Sequence, residues 1–253
     1  MSEKATAFAL VGDRHHNSDY IRSGLQKTLG SDIGLSIDFT DEVKMLNAET
    51  LKGYQLLIIF RDGMIWPDGY GFGEFMARDK SVPIISEPPV AEKKPRPVYW
   101  MTQEQGEAVK DFVSNGGSAL LYHNVTYIAT ENKPFRDVLG AATEGHPPLR
   151  TFKVEITDPN HPITNGASEF VVTDEQHYMT YDGDPSHVFM RSVNEDGLTF
   201  KELGSSCEAG WAYDYGKGRV CYLAPGHIIP VLWNPEFEKI QQNAVRWLMR
   251  ETG

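Results

Sequence analysis

Short apolar runs alternate with helix-like repeats along the first half of the chain. Ala7–Val11 and Leu56–Phe60 are apolar throughout, and Ser118–Tyr122 is nearly so. Runs of this length suit strands that are buried on both faces of a parallel sheet. Between the first two runs, Ile21 and Leu25 recur at helical spacing. The pattern predicts strand–helix–strand units, which are typical of a doubly wound parallel sheet.

Capping signals set the ends of three predicted helices. Ser18 is expected to cap the first, and Asn234 precedes the N1 proline of the last. Thr102 with Gln105 three residues later forms a capping box, and Gly116 is expected to end that helix. Each predicted helix therefore has a defined start next to an apolar stripe.

The second half of the chain is richer in strands. Five runs are predicted to be extended: 154–157, 171–173, 188–193, 210–213 and 220–224. The Gly-Lys-Gly sequence at 216–218 predicts a hairpin between the last two. Because no internal repeat or change of composition divides the chain, we interpret residues 1–253 as one domain with added strands in its C-terminal half.

Residues 63–100 interrupt the regular pattern. Five prolines fall between positions 83 and 97, and Trp66 and Trp100 stand near the two ends. A loop this long within a compact domain is usually functional or disordered, and the aromatic residues favour a packed loop. We predict a lid that covers the site, beginning two residues after Arg61.

Composition narrows the classes of partner. The 253-residue chain carries a formal net charge of -11, which argues against nucleic acid because phosphate binding needs clustered Lys and Arg. No apolar run is long enough to span a membrane, and the two cysteines, Cys207 and Cys221, predict no disulfide framework. We expect a cytoplasmic protein that binds a small molecule, and a homo-oligomer is one of the states left open.

Polar side chains follow the predicted parallel strands at one end. Asp13 with His15 and His16 comes after the first strand, Arg61 with Asp62 after the third, and His123 with Asn124 after the run at 118–122. Ligands of open α/β sheets bind at the carboxyl ends of the strands, so we expect these side chains to share one crevice. His227 follows the last predicted strand at the same end, and we add Glu175, His177 and His146 to the crevice.

Several motifs resemble those of the ThuA-like (trehalose utilisation) family. They are Arg61-Asp62-Gly63, Tyr122-His123-Asn124, Gly145-His146-Pro147-Pro148, the Asp-Pro-Asn-His-Pro-Ile-Thr run at 158–164, and Ala224-Pro225-Gly226-His227. The resemblance implies a flavodoxin-like α/β fold, similar to the class I glutamine amidotransferase domain, with a parallel sheet flanked by helices. It also implies a role in carbohydrate metabolism.

The chain departs from the amidotransferases at the two positions that carry their chemistry. His123 stands where the resemblance would place the nucleophilic cysteine, and His227 lacks the glutamate that follows two residues after the catalytic histidine of those enzymes. Without a thiol and a carboxylate there is no nucleophile and base for glutamine hydrolysis. We therefore expect no glutamine amidotransferase activity.

The histidines do not show the spacing of a metal motif. No H-x-H or H-E-x-x-H sequence occurs, and no Gly-rich phosphate loop follows a strand. We predict no cofactor and assign no metal ligands, while a divalent metal remains an alternative because imidazole is the commonest protein ligand. His161 and His187 are interpreted as structural.

The resulting hypothesis is an enzyme that acts on a disaccharide, glycoside or keto-sugar derivative by histidine-assisted proton transfer. The alternative is a non-catalytic sugar-binding or regulatory module on the same fold. The residues expected to carry catalysis are His123, His227 and His177. Those expected to bind the substrate are His15, Arg61, Asp62, Trp66, Asn124, His146 and Glu175.

Overall fold

The computed structural model describes residues 6–66 and 96–252. Its strands, in chain order, are β1 Ala7–Val11, β2 Ile37–Thr40, β3 Leu56–Phe60, β4 Met64–Ile65, β5 Val98–Tyr99, β6 Ser118–Tyr122, β7 Ala141–Gly145, β8 Arg150–Ile156, β9 Phe170–Asp174, β10 Tyr178–Tyr181, β11 Val188–Val193, β12 Ser206–Tyr215 and β13 Gly218–Leu223. Its helices are α1 Ser18–Leu25, α2 Ala48–Leu51, α3 Gln103–Ser114, α4 Lys133–Leu139, α5 Ile229–Leu232 and α6 Pro235–Leu248. Most of the predicted lid, residues 67–95, lies outside the described residues.

A nine-stranded sheet forms the centre of the molecule, in the order β2-β1-β3-β6-β13-β12-β11-β8-β9. The first five strands run parallel, and the remaining strands pair antiparallel with their neighbours. The predicted α/β fold, with strands added by the C-terminal half, is confirmed.

The parallel half holds the densest part of the core. Every residue of β1, β3 and β6 is buried, as continuous apolar runs require when helices cover both faces of a sheet. Helices α3 and α6 both contact β6 and β13, while α2 and α4 pack beside α3, and α5 packs between α1 and α6. None of the described helices is long and apolar enough to cross a membrane.

Local capping agrees with the prediction in two helices and corrects it in one. The Thr102–Gln105 capping box and the Asn234 cap are both present. Helix α1 is capped by Asn17, whose side chain accepts from the backbone N–H of Asp19, because Ser18 is already helical. Sequence patterning also missed α2, α4, β7 and β10, which are short or carry no clear periodicity.

The antiparallel half of the sheet returns toward the parallel half. Strand β9 is four steps from β13 in the sheet, which corresponds to roughly 19 Å in a flat sheet. Yet Asp174, the last residue of β9, accepts hydrogen bonds from the backbone N–H groups of Gly226 and His227, at 2.7 and 3.0 Å. The sheet must curl for this contact to form. Its curl brings the end of β9 to the carboxyl ends of the parallel strands.

Candidate functional site

Four histidine-bearing or acidic segments meet at the carboxyl edge of the parallel strands. His16 follows β1, His123 follows β6, and His227 follows β13. Because these strands are parallel, their ends lie at the same edge of the sheet. Glu175 follows β9 and reaches the same place through the curl of the sheet.

Glu175 is the centre of this group. Its Oε2 atom lies within 4.0 Å of a ring nitrogen of five different histidines. The distances are 3.1 Å to Nδ1 of His227, 3.4 Å to Nε2 of His123, 3.4 Å to Nε2 of His177, 3.6 Å to Nε2 of His146 and 4.0 Å to Nε2 of His16. We call these six residues the histidine–carboxylate cluster.

The backbone of His123, a member of the cluster, has a strained conformation. Its φ of 50° lies in the left-handed region, which residues other than Gly, Asn and Asp seldom adopt. The ring Nδ1 lies 2.7 Å from the carbonyl oxygen of Ala224, and the His123 carbonyl accepts from the hydroxyl of Tyr222. A Cβ atom at Gly226 would lie 3.4 Å from Cβ of His123 and 2.7 Å from the ring of Phe60, so only glycine fits there.

A buried carboxylate, Asp13, organises the neighbouring loops. Its Oδ1 accepts from the backbone of His15 and His16 and lies 2.9 Å from Nδ1 of His16. Its Oδ2 accepts from the backbone N–H of Asp62 and from the amide of Asn124. Burial by itself would raise the pKa of Asp13, but its partners, His16 above all, hold that pKa well below its usual range.

The members of the cluster have pKa values that are shifted in different directions. Burial by itself would raise the pKa of Glu175, but the imidazoles of His123, His177 and His227 outweigh it and hold that pKa well below its usual range. Burial would lower the pKa of His123, yet Glu175 and Asp174 raise it. Burial and the nearby charge of His123 lower the pKa of His177 well below its usual value. Glu175 is therefore ionised and His177 neutral at neutral pH.

A cavity of about 190 Å³ opens beside the cluster. It is lined by His15, His16, Asp62, Met64, Asn124, Tyr127, His146, Glu175 and His177. A second cavity of about 330 Å³ shares Met64 with it and is lined by Arg61 and Trp66 among others. A larger cavity of about 820 Å³, around Arg136 and Tyr213, contains no member of the cluster.

Asp62 differs from the other carboxylates of the site. It is 3% exposed, and its Oδ1 accepts from the backbone N–H of Met64. Burial and the charge of Asp13 raise the pKa of Asp62 to about 7. Two linked carboxyl groups whose pKa values are pushed apart are a common basis for dividing acid and base roles.

The structure places most of the predicted site residues together. His123, His146, His177, His227 and Glu175 are in the cluster, and Asp62, Asn124 and His15 line the smaller cavity with some of them. Whether they carry catalysis or binding stays a prediction. Of the two histidines predicted at the first strand end, His15 was assigned to substrate binding, whereas His16 is the buried cluster member. The three-residue spacing of Asp13 and His16 was the available signal.

The remaining predicted residues lie beside the cluster. Arg61 donates to the carbonyl oxygen of Asp41 and stacks over Trp100, whose Nε1 donates to the carbonyl oxygen of Asp62 at 2.7 Å. The guanidinium of Arg14 stacks 3.9 Å from the ring centre of Trp66. The two tryptophans at the described ends of the 63–100 segment therefore contact residues of the site. Their predicted contact with a ligand is not decided by this packing.

Neither cysteine lies in the cluster. Cys221 is buried in β13, and Cys207 is buried in β12. Burial raises the pKa of Cys207 to about 12, which leaves the thiol protonated and unreactive at neutral pH.

Comparisons with known proteins point to one family. Residues 94–248, more than half of the chain, match the family model ThuA, described as trehalose utilisation. No curated protein gave a significant match.

Solved structures give the same fold. A ThuA-like protein from Parabacteroides merdae has a TM-score of 0.69 at 14% identity, covering 99% of this chain and 91% of that one. A ThuA-like protein from Bacteroides uniformis has a TM-score of 0.63 at 17% identity, covering 98% and 94%. A β-galactosidase from Rahnella has a TM-score of 0.58 at 14% identity, and this chain corresponds to 31% of its length. At these identities the likeness shows the fold.

Proposed function

The chain belongs to the ThuA (trehalose utilisation) family, and we propose that it is an enzyme acting on a disaccharide, glycoside or keto-sugar derivative by histidine-assisted proton transfer. The observation that carries this proposal is the convergence of five imidazoles on the single carboxylate of Glu175. Titratable groups gathered in a cleft with strongly shifted pKa values are typical of catalytic sites.

The walls of the smaller cavity suggest a division of roles. His177 and Asp62 are among the residues that line it, so both can reach a substrate directly. Nδ1 of His177 is buried without a hydrogen-bond partner among the described residues and is available to a ligand, while Nε2 lies 3.4 Å from Oε2 of Glu175. Asp62 has its pKa at about 7 and is suited to exchange a proton near neutral pH.

His123 and His227 lie behind the residues that line the cavity and act through Glu175. Neither lines the cavity, but both contact the carboxylate of Glu175, which does. In this proposal they fix the charge and orientation of Glu175. Of the three histidines predicted to be catalytic, His177 would contact the substrate. His123 and His227 would position Glu175.

The two cavities suit a sugar of more than one ring. A volume of about 190 Å³ is below the roughly 300–1,000 Å³ of pockets for drug-sized ligands, so it would hold one ring or less. The adjoining cavity would take a second ring against Trp66, with Arg61 nearby. The Oδ1 atom of Asn124 is buried without a hydrogen-bond partner in the described structure and can accept from a sugar hydroxyl.

Proton NMR in D₂O tests the proposal. The protein is incubated with disaccharides and with their 3-keto derivatives, and both product formation and deuterium exchange next to the carbonyl are followed. Proton transfer predicts exchange or turnover of at least one keto-sugar, lost in His177→Asn and retained in His187→Asn, which lies outside the site. Saturable binding with no exchange and no product would instead support a non-catalytic sugar-binding module.

A further inference from the structure

We propose that His16, His123, His227 and Glu175 bind one divalent transition-metal ion. Each offers one ligand atom, and the four atoms lie within 4.8 Å of one another. This inference rests on the geometry of the cluster and is independent of the proposed reaction. The four residues come from four separate segments, which is why no metal motif is visible in the sequence.

The spacing of the ligand atoms fits a single ion. Metal–nitrogen and metal–oxygen distances of about 2.0–2.2 Å separate ligand atoms by about 3.0–3.5 Å, or up to about 4.2 Å across the ion. Nε2 of His16 lies 3.0 Å from Nδ1 of His227, which lies 3.1 Å from Oε2 of Glu175. The same oxygen is 3.4 Å from Nε2 of His123 and 4.0 Å from Nε2 of His16.

The outer contacts of two rings orient their Nε2 atoms toward the cluster. Nδ1 of His16 faces the carboxylate of Asp13 at 2.9 Å, and Nδ1 of His123 faces the carbonyl of Ala224 at 2.7 Å. The carbonyl oxygen of Ala224 only accepts, so Nδ1 of His123 carries a proton and Nε2 is the nitrogen that would bind a metal in its deprotonated form. Nδ1 of His16 also lies 2.8 Å from the amide nitrogen of Asn124, and these two contacts hold the ring with Nε2 toward the cluster. Metal-binding histidines are held by this arrangement in many proteins.

A buried nitrogen without a hydrogen-bond partner is a second observation that supports a bound ion. Nε2 of His123 is fully buried and makes no hydrogen bond within the described residues. A buried polar nitrogen without a partner is unfavourable, and the 3.4 Å separation from Glu175 leaves room for an ion between them. A metal would satisfy this nitrogen and the Glu175 carboxylate together.

The ligand set indicates the class of metal. Three imidazole nitrogens and one carboxylate oxygen suit Zn²⁺, Fe²⁺, Co²⁺ or Ni²⁺, whereas Mg²⁺ and Ca²⁺ prefer oxygen ligands. His146 and His177 form a second group with Glu175. That group has only three members, and no outer hydrogen bond fixes His177, so the four-residue set is favoured.

Binding is tested on the full chain without a histidine tag, after dialysis against a chelator. Titration calorimetry and elemental analysis are carried out with Zn²⁺, with Mg²⁺ as the comparison ion, and Co²⁺ absorption spectra report the coordination. We expect one Zn²⁺ per chain with a Kd of about 1 μM or lower. We expect no competition from Mg²⁺.

Matched variants identify the ligands. His16→Asn, His123→Asn and Glu175→Gln should each weaken Zn²⁺ binding by at least about 100-fold, and Asp13→Asn by about 10–100-fold through the orientation of His16. His187→Asn should bind as the wild type does, and circular dichroism checks that each variant is folded.

Three results would overturn the proposal. The first is a stoichiometry far below one ion per chain. The second is full binding in folded His16→Asn and His123→Asn proteins. The third is loss of binding in His146→Asn while His16→Asn binds normally, which would assign the ion to the other group.

Discussion

The carboxylate of Asp174 holds the backbone of His227 in the site, with its Oδ1 3.0 Å from the His227 N–H and its Oδ2 2.7 Å from the N–H of Gly226. Asp174 is fully buried at the end of β9, and His227 follows β13. This pair joins the curled edge of the sheet to the parallel strands. It therefore fixes the positions of two cluster members at once, Glu175 next to Asp174 and His227 itself.

Replacing Asp174 should destabilise the protein strongly. Asp174→Ala leaves two buried N–H groups without an acceptor, and each such group costs about 1–3 kcal/mol. We expect a loss of about 2–6 kcal/mol in the free energy of unfolding, measured by urea denaturation. Asp174→Asn retains one acceptor and should lose less. Equal stability of the alanine variant and the wild type would show that this contact does not hold the two strand ends.

His123→Asn should abolish turnover without unfolding the protein. Asparagine tolerates the left-handed backbone that this position requires. If His123 serves the reaction, turnover of a keto-sugar should fall by about 10²–10⁴-fold. The melting temperature should stay close to that of the wild type. A variant that keeps its rate, or loses it only by unfolding, would make His123 a structural residue.

His177→Gln should lower kcat with a smaller effect on KM. Nδ1 of His177 has no hydrogen-bond partner among the described residues, and Nε2 lies 3.4 Å from Oε2 of Glu175, so the substitution removes only one long contact with that carboxylate. A group that transfers or shares a proton in the transition state contributes about 10²–10⁴-fold to the rate. Steady-state kinetics beside the His187→Asn control give the comparison. A change confined to KM would assign His177 to substrate binding alone.

Asp62→Asn should change how stability depends on pH. Burial and the charge of Asp13 raise the pKa of Asp62 from 3.8 to about 7. Between about pH 4 and pH 7 the folded protein holds a proton that the unfolded chain has released, so this carboxyl lowers stability as the pH rises through that range. Asparagine cannot ionise, so the variant does not lose this stability as the pH rises.

The melting temperature of Asp62→Asn relative to the wild type should therefore be higher at about pH 8 than at about pH 5. One pKa unit corresponds to about 1.4 kcal/mol, which is roughly 3–6 °C for a domain of this size. Differential scanning calorimetry in chelator-containing buffer measures both values. A difference that stays constant between the two pH values would contradict a shifted pKa for Asp62.

The sequence alone was sufficient for the family, the α/β class and the proximity of several strand-end residues. Continuous apolar runs at β1, β3 and β6 identified strands buried on both faces, and parallel strands place their carboxyl ends at one edge. This rule predicts that the segments after β1, β3 and β6 lie together. The capping box at Thr102 is also local, since both of its hydrogen bonds form within one helical turn.

Only the tertiary structure decided how the site is completed. Glu175 follows an antiparallel strand four steps from β13, and no local pattern reveals that the sheet curls enough for Asp174 to reach His227. The choice of His16 over His15 likewise depends on the buried carboxylate of Asp13, which lies 2.9 Å from the ring of His16. Hydrophobic periodicity records which side chains are buried. It does not record which distant polar groups satisfy one another, and in this protein those contacts build the site.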